Sequence, residues 1–410
     1  MSKQTLLEEL KERGYFEQAT FEEELNEQLE KEPTTFYIGF DATADSLTIG
    51  HFIQIMVMKR MQMRGHRPIA LLGGGTTLIG DPSGRTDMRS MMTKERIDHN
   101  ASRFAEQLSH FIDFSDDKAI IENNADWLLD LNYVDFMRDV GTEFNVSQML
   151  AQDSYKNRIN DGLTFFEMSY LLLQSYDFLH LYRKHGCKIQ VGGSDQWTNI
   201  LGGYDLVKKK EDDKVYAMTF KLLTNADGQK MGKSMKGAIW LDPEKTPPYD
   251  LFQYMRNVDD RDVEKFLLQL TFLPTEECKR LGSLEDAEIN KAKEILAYEL
   301  TKEIHGEEEA NKALEASRSL FEGGKSSENM NTEELDKDLF AEGYGLLNLL
   351  KDLNLTSSNS EARNLIKQGG VSLNGNTVTD HSMSVSLDDF ENDELIIKKG
   401  KKVYLKVVVK

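Results

Sequence analysis

The sequence predicts an α/β protein: a parallel-sheet domain with a long helical insertion, then a helical segment, then a small α+β module at the C-terminal end. Three observations carry that expectation. Apolar runs end in glycine and lead into helical periodicity, the alternation of a parallel sheet. More than a hundred mainly helical residues separate the second such run from the third. A Gly-Ser-rich stretch at 323–327 then sets the C-terminal part apart.

The elements follow in order. The opening MSKQTLLEELKERGYFEQ is a charged helical pattern without the apolar core of a signal peptide. Phe36-Tyr37-Ile38-Gly39-Phe40 reads as a buried strand entering a polar turn. The turn delivers Gly50-His51 to a helix over 49–64, with Phe52, Ile55, Met56 and Met63 as its apolar positions and Gly65 as its stop. Free N–H groups, a Gly and a His at one helix start suit a phosphate, although an ordinary strand–turn–helix with a capping His fits the same letters. Pro68-Ile69-Ala70-Leu71-Leu72, ending in Gly73-Gly74-Gly75, is the second strand. Cys187-Lys188-Ile189-Gln190-Val191 is the third and ends in Gly192-Gly193, before a helix from about Ser194-Asp195. Residues 215–223 give a further strand pattern.

Thr246-Pro247-Pro248 breaks the chain and opens a helical segment to about Phe321. A polar linker runs from Gly323 to about Leu339. Beyond it, Ser358-Asn359-Ser360-Glu361 has capping-box spacing, Gly369-Gly370 stops the helix that follows, and Asn374-Gly375 marks a two-residue hairpin. The expected boundaries are 1–246 for the sheet domain (insertion about 82–186), 247–323 for the helical domain, 324–342 for the linker and 343–410 for the module.

Composition narrows the chemistry. A hydrophobic fraction of 39% and no long apolar run predict no membrane contact. Cys187 and Cys278 are the only cysteines and form no paired metal spacing, so a reduced, cytoplasmic protein without a protein-bound metal is expected. A net charge of −20 argues against indiscriminate nucleic-acid coating, and no DNA partner is expected. The charge is uneven, however: from Lys398 onward the chain carries six lysines and no acid. That tail suits local phosphate contact, or equally a lysine-edged strand. A second phosphate candidate is Lys230-Met231-Gly232-Lys233-Ser234, where two lysines in a pliable turn converge on one polyanion; a solvated lysine turn is the plain alternative.

Combined, the Gly-His helix start and the Lys-x-Gly-Lys-Ser loop resemble the HIGH and KMSKS signatures of class I aminoacyl-tRNA synthetases. The segments 39–47, 78–84 and 190–197 extend the likeness to the bacterial tyrosyl-tRNA synthetase family, from about Tyr37 to the C-terminus. The resemblance implies a Rossmann-like catalytic domain. It also implies activation of L-tyrosine by ATP to tyrosyl-adenylate, then transfer to the 3′-terminal adenosine of tRNA(Tyr). ATP is then a substrate that brings its own Mg²⁺.

Carried over by position, Tyr37 and Asp177 bind the phenolic hydroxyl, and Asp81, Tyr170 and Gln174 bind the ammonium group, with Gln190 in the same pocket. Tyr170, Gln174 and Asp177 share one helix face at i, i+4 and i+7. The ATP positions are Gly39, Asp41, Gly50, His51, Gln54, Gly193, Asp195, Gln196, Lys233 and Ser234, with Asp195 on the ribose. Thr43, Thr48, His51, Lys230, Lys233, Arg85 and Arg89 are the expected catalytic groups around the phosphates. Two letters depart from the family pattern: Thr48 stands for the usual histidine, and Gly232 for the usual serine, the latter read as added flexibility.

The C-terminal part resembles an alpha-L RNA-binding module and implies tRNA contact through Arg363, Lys367, Lys401 and Lys402, with 247–323 addressing the anticodon end. The family is homodimeric through the inserted region. A small-molecule adenylyltransferase would lack the C-terminal module, and a catalytically inactive RNA-binding homologue would have eroded motifs; neither feature is present.

Overall fold

The computed structural model describes residues 4–81, 91–152, 155–156, 159, 162–234, 237–321, 332–341, 343–391, 393–400 and 403–410. The chain forms two compact units, residues 1–247 with 257–296, and residues 248–256 with 297–410. The helical segment 247–323 is thus divided between them rather than standing apart.

The first unit is built on a six-stranded sheet: β1 (Phe16–Ala19), β2 (Thr35–Phe40), β3 (Arg67–Leu72), β4 (Ile120–Asn123), β5 (Ile189–Gly193) and β6 (Tyr216–Phe220). Their order is β1-β6-β5-β2-β3-β4, with β1 antiparallel to β6 and every other pair parallel. Two strands were not foreseen. β1 carries Glu and Gln amid a charged stretch, and β4 is four half-buried residues inside the expected insertion, so neither shows the long apolar run of an inner strand. The inner strands do: β3 and β6 are almost wholly buried.

From β2 the chain proceeds to β3 and β4 on one side, and reaches β5 and β6 on the other. The reversal between β2 and β5 is a topological switch point, where ligands bind at the carboxyl ends of strands. Helix Ile49–Met63 follows β2 and packs its Phe52, Ile53, Met56 and Met61 into the core. Helix Phe165–His185, capped by Thr164 and stopped by Gly186 in the left-handed conformation, lies along helix Trp197–Glu211.

In the second unit, helix Pro248–Arg256 packs on helix Glu307–Phe321. The C-terminal module has its own core around Leu346, Leu349, Ile366, Leu395, Ile397 and Val407. Strands Val371–Leu373 and Asn376–Thr377 form the expected hairpin, with Asn374 at φ 44° and Gly375 at φ 83°, as a two-residue turn requires. Ser358 caps helix Asn359–Lys367, but the Glu361 carboxylate accepts from Ser357 N (2.7 Å) instead of closing a box on Ser358.

Two expectations change here. Residues 332–340 were assigned to the linker, yet strand Thr332–Leu335 pairs with the C-terminal strand and Phe340 enters the module's core. The acidic Thr-Glu-Glu-Leu hides this because it is an exposed edge strand whose partner lies at the far end of the chain. For the same reason Val403–Val409 is no lysine-edged strand: its residues 406–408 are paired on both sides, and Lys406 is buried against Glu394 (2.9 Å).

Candidate active site

A cavity of about 550 Å³ opens at the carboxyl ends of the strands in the first unit. Its walls come from residues at or just past five of them: Asp41 after β2, Gly73 after β3, Asn124 after β4, Gly193 at the end of β5 and Leu222 after β6.

One end of this cavity is closed by buried side chains. Asp177 is 1% exposed, and its carboxylate accepts from Asn124 Nδ2 (2.9 Å) and Trp127 Nε1 (2.8 Å). Burial outweighs those two donors and pushes its pKa up to about 8. Tyr37 is packed against Phe178 (centroids 5.6 Å apart), and its hydroxyl has no partner among the described residues. Burial and the nearby Asp177 hold that phenol well above its ordinary range, so it stays a neutral donor. The Gln174 and Gln190 side-chain oxygens are likewise buried without a partner among the described residues. Three unmatched polar atoms at one end of one cavity are expensive unless a ligand with complementary groups completes them.

Asp41, Tyr170, Thr76, Asn124 and Asp177 form a continuous network. Tyr170 Oη donates to Asp41 Oδ2 (3.1 Å), and Thr76 Oγ1 donates to Asp41 Oδ1 (2.9 Å). Asn124 Nδ2 reaches both Thr76 Oγ1 (3.0 Å) and Asp177, while its Oδ1 accepts from Gly75 N (2.7 Å). Gly73 is required here: a Cβ would stand 2.3 Å from Asp41 Oδ1. Asp81 accepts from Gln196 Nε2 (2.6 Å) and lies 3.5 Å from Asn199 Nδ2. Asp41 and Gln196, expected at the nucleotide, line the cavity and are engaged in these hydrogen bonds.

The other end is open. Gly39 is exposed, and a Cβ there would meet nothing within 4 Å. Thr43, His51 and Gln54 line this side, with Gln54 Oε1 buried and without a partner among the described residues. Thr48 N donates to His51 Nδ1 (3.0 Å), which leaves the imidazole proton on Nε2. Burial lowers the His51 pKa to about 4, so at neutral pH the ring is an uncharged donor. Lys230 Nζ pairs with Asp195 Oδ2 (3.1 Å), and both are partly exposed.

Thr48 and Gly50 do not line the cavity. Thr48 is the N-cap of helix Ile49–Met63, and both its amide and its hydroxyl (3.0 Å) engage His51 Nδ1, so it orients the histidine. Gly232 is buried at φ +117°, a backbone state that side-chain-bearing residues rarely adopt, and packs near Ile49 and Gly50. That geometry corrects the reading of Gly232 as mere flexibility. The backbone of Lys233 and Ser234 forms a short strand, while their side chains, together with Arg85, Arg89, Lys401 and Lys402, lie outside the described residues. Arg363 and Lys367 are exposed on the module's helix.

Sequence reasoning missed Thr76, Asn124 and Trp127. No motif marks them; the only available signal was physical, since a buried carboxylate at 177 needs donors from somewhere.

The family model for class I tRNA synthetases (W and Y) matches residues 29–322, and the model for the SYY-like C-terminal domain of tyrosine–tRNA ligase matches residues 327–407. The chain belongs to this class I family. The tyrosine–tRNA ligase of Lachnoclostridium phytofermentans is 61% identical over 96% of this chain and 97% of that protein. That of Acetivibrio thermocellus is 56% identical over 98% and 99%. Likeness at this level over nearly full length places the chain on the tyrosine–tRNA ligase branch. Among solved structures, a C-terminally truncated mitochondrial tyrosyl-tRNA synthetase from Aspergillus nidulans matches with a TM-score of 0.70 at 30% identity, covering 78% of this chain and 95% of that one.

Proposed function

We propose that the chain charges tRNA(Tyr) with L-tyrosine in two steps. A carboxylate oxygen of tyrosine attacks the α-phosphorus of ATP, forming tyrosyl-adenylate and expelling pyrophosphate. A ribose hydroxyl of the tRNA 3′-terminal adenosine then attacks the tyrosyl carbonyl and releases AMP. Neither step needs a covalent enzyme nucleophile; positioning and charge stabilisation suffice.

The observation that carries this reading is the closed end of the cavity, where Tyr37 Oη and the Asp177 carboxylate face one space. A phenolic hydroxyl accepts from the first and donates to the second. Phenylalanine would leave both without a ligand partner, which is how such a site refuses it. Asp81, Tyr170 and Gln174 take the ammonium group, with Gln190 beside them. Asp41 orients Tyr170 through their hydrogen bond. Gly39, Gln54, Gly193 and Asp195 take the adenosine, with Asp195 on the ribose. Thr43, His51, Lys230 and Lys233, with Ser234, Arg85 and Arg89, act on the phosphates, and Mg²⁺ arrives as MgATP.

For the second step, Arg363, Lys367, Lys401 and Lys402 grip tRNA phosphates, and the segment 247–323 addresses the anticodon end. Homodimerisation through the region 82–186 is supported by the apolar side chains it exposes, among them Tyr133, Val134, Val146 and Phe165. A cytoplasmic setting accords with this activity, and no helix among the described residues is long and apolar enough to cross a membrane.

Amino-acid-dependent exchange of label between pyrophosphate and ATP tests the first step. Tyrosine should support exchange, with phenylalanine and tryptophan far weaker; exchange without preference for tyrosine refutes the Tyr37–Asp177 assignment. Lys233→Ala should slow adenylate formation while leaving tyrosine affinity nearly unchanged. Loss of tyrosine binding in that variant would place Lys233 in the amino-acid pocket instead.

A further inference from the structure

Helix Lys94–Ser109 lies within the region expected to serve dimerisation, and no site residue was assigned to it. Its inner face tells a different story. Asn100, Arg103, Phe104 and Gln107 fall at i, i+3, i+4 and i+7 and so project from one side. Asn100 Nδ2 donates to Ala42 O (2.9 Å), at the start of the turn between β2 and the Gly-His helix. Gln107 Oε1 accepts from Leu47 N (2.8 Å), and its Nε2 donates to Ser46 Oγ (3.1 Å), at the end of the same turn. Phe104, fully buried, packs its ring 5.9 Å from that of His51. Arg103 Nη2 donates to Asp242 Oδ2 (3.0 Å), beyond the lysine loop.

Those two clients are also joined to each other. Ile49 N donates to Ile239 O (3.0 Å), Leu241 N donates to Leu47 O (2.8 Å), and Ile239 N returns to Gly232 O (2.9 Å) inside the lysine motif. Asp242 in turn fixes the next bend by accepting from Glu244 N (2.9 Å). Residues 42–49 and 239–242 therefore form one backbone patch held from behind by a single helix face.

We infer that Arg103 and Gln107 are positioning residues for adenylate formation: through Asp242 and Leu47 they hold the two phosphate-facing segments in common register. The inference rests on the reaction proposed above. It follows from the sensitivity of such reactions to placement, where a displacement of about 1 Å far from the chemistry costs around 100-fold in rate. Arg103 and Gln107 do not line the cavity, and act only through what they hold.

The test is tyrosine-dependent pyrophosphate exchange at saturating tyrosine with ATP varied, alongside tyrosine affinity by equilibrium dialysis. The unmodified protein must first exchange with tyrosine; its failure to do so counts against the reaction itself rather than against this helix. Gln107→Leu is the direct variant but removes a buried hydrogen bond. Arg103→Met, on a partly exposed side chain, keeps the hydrophobic stem and removes only the charged head. For Arg103→Met the expected result is a fall of about tenfold or more in kcat/KM for ATP, with tyrosine affinity within about twofold of the unmodified protein. Arg103→Lys, which keeps a cation opposite Asp242, should recover more of the rate than Arg103→Met does. The inference is overturned if Arg103→Met stays within about twofold in kcat/KM for ATP, if tyrosine affinity falls in step with it, or if Arg103→Lys is no better than Arg103→Met.

Discussion

The two ends of the cavity are built on opposite plans. At the closed end, side chains are buried, locked to one another and arranged around polar atoms without a partner among the described residues. At the open end, Gly39 is bare, Lys230 is 65% exposed, and the paired Asp195 and Lys230 are the kind of surface ion pair worth little by itself. Discrimination between two amino acids that differ by one hydroxyl needs a prepaid, rigid, low-dielectric pocket. Transfer at phosphorus instead needs positive charge that follows the charge as it develops, which an open site permits.

Mutations can break that contrast, starting with the largest effect. Asp177→Ala should strand the Asn124 and Trp127 donors at ~1–3 kcal/mol each and erase the preference for tyrosine. Urea denaturation and exchange with tyrosine against phenylalanine measure the two losses; full retention of either would show the pocket is not organised around this carboxylate.

Tyr37→Phe separates stability from specificity. Its hydroxyl lacks a partner among the described residues, so the ligand-free protein should keep its stability or gain up to about 1 kcal/mol. Discrimination against phenylalanine should meanwhile fall by about tenfold, the value of one lost hydrogen bond. A clear drop in thermal stability would mean that the hydroxyl has a structural partner.

pH gives a finer test. Asp177 has its folded pKa raised to about 8, above the ~3.9 of an unfolded chain, because burial favours the neutral acid. Its contribution to stability is therefore fully present below about pH 4 and is lost as pH rises through about 8. Relative to Asp177→Asn, which cannot titrate there, the unmodified protein should lose stability between pH 5 and pH 9, read by urea unfolding at matched ionic strength. His51 imposes no titration of its own in that range, since its pKa is about 4.

The smallest effect is expected at the open end. Gly39→Ala should leave the fold intact, since its methyl group meets nothing within 4 Å, yet raise KM for ATP by up to about tenfold. Unchanged ATP kinetics would move the nucleotide away from β2.

The same contrast governs what the sequence disclosed. The glycine-ended strands, the Gly-His helix start and the Tyr170–Gln174–Asp177 face were legible because each is a local pattern with a fixed period or terminus. Asn124, Trp127 and Thr76 were not, since their role exists only where β3, β4 and helix Phe165–His185 converge. The bonds from Thr48 to His51 were hidden for a related reason: its place in a motif suggested a phosphate and said nothing of the histidine three residues on. Strand Thr332–Leu335 escaped because its partner is the other end of the chain.

Gly232 bears on how this chain can change over evolutionary time. At φ +117° the backbone has settled into a shape that its present residue accepts freely and serine would not. Gly232→Ser, although it restores the family's usual letter, should therefore slow exchange rather than quicken it. A substitution that reads as repair on paper would be damage in the molecule, because the residue at this position is dictated by a dihedral angle.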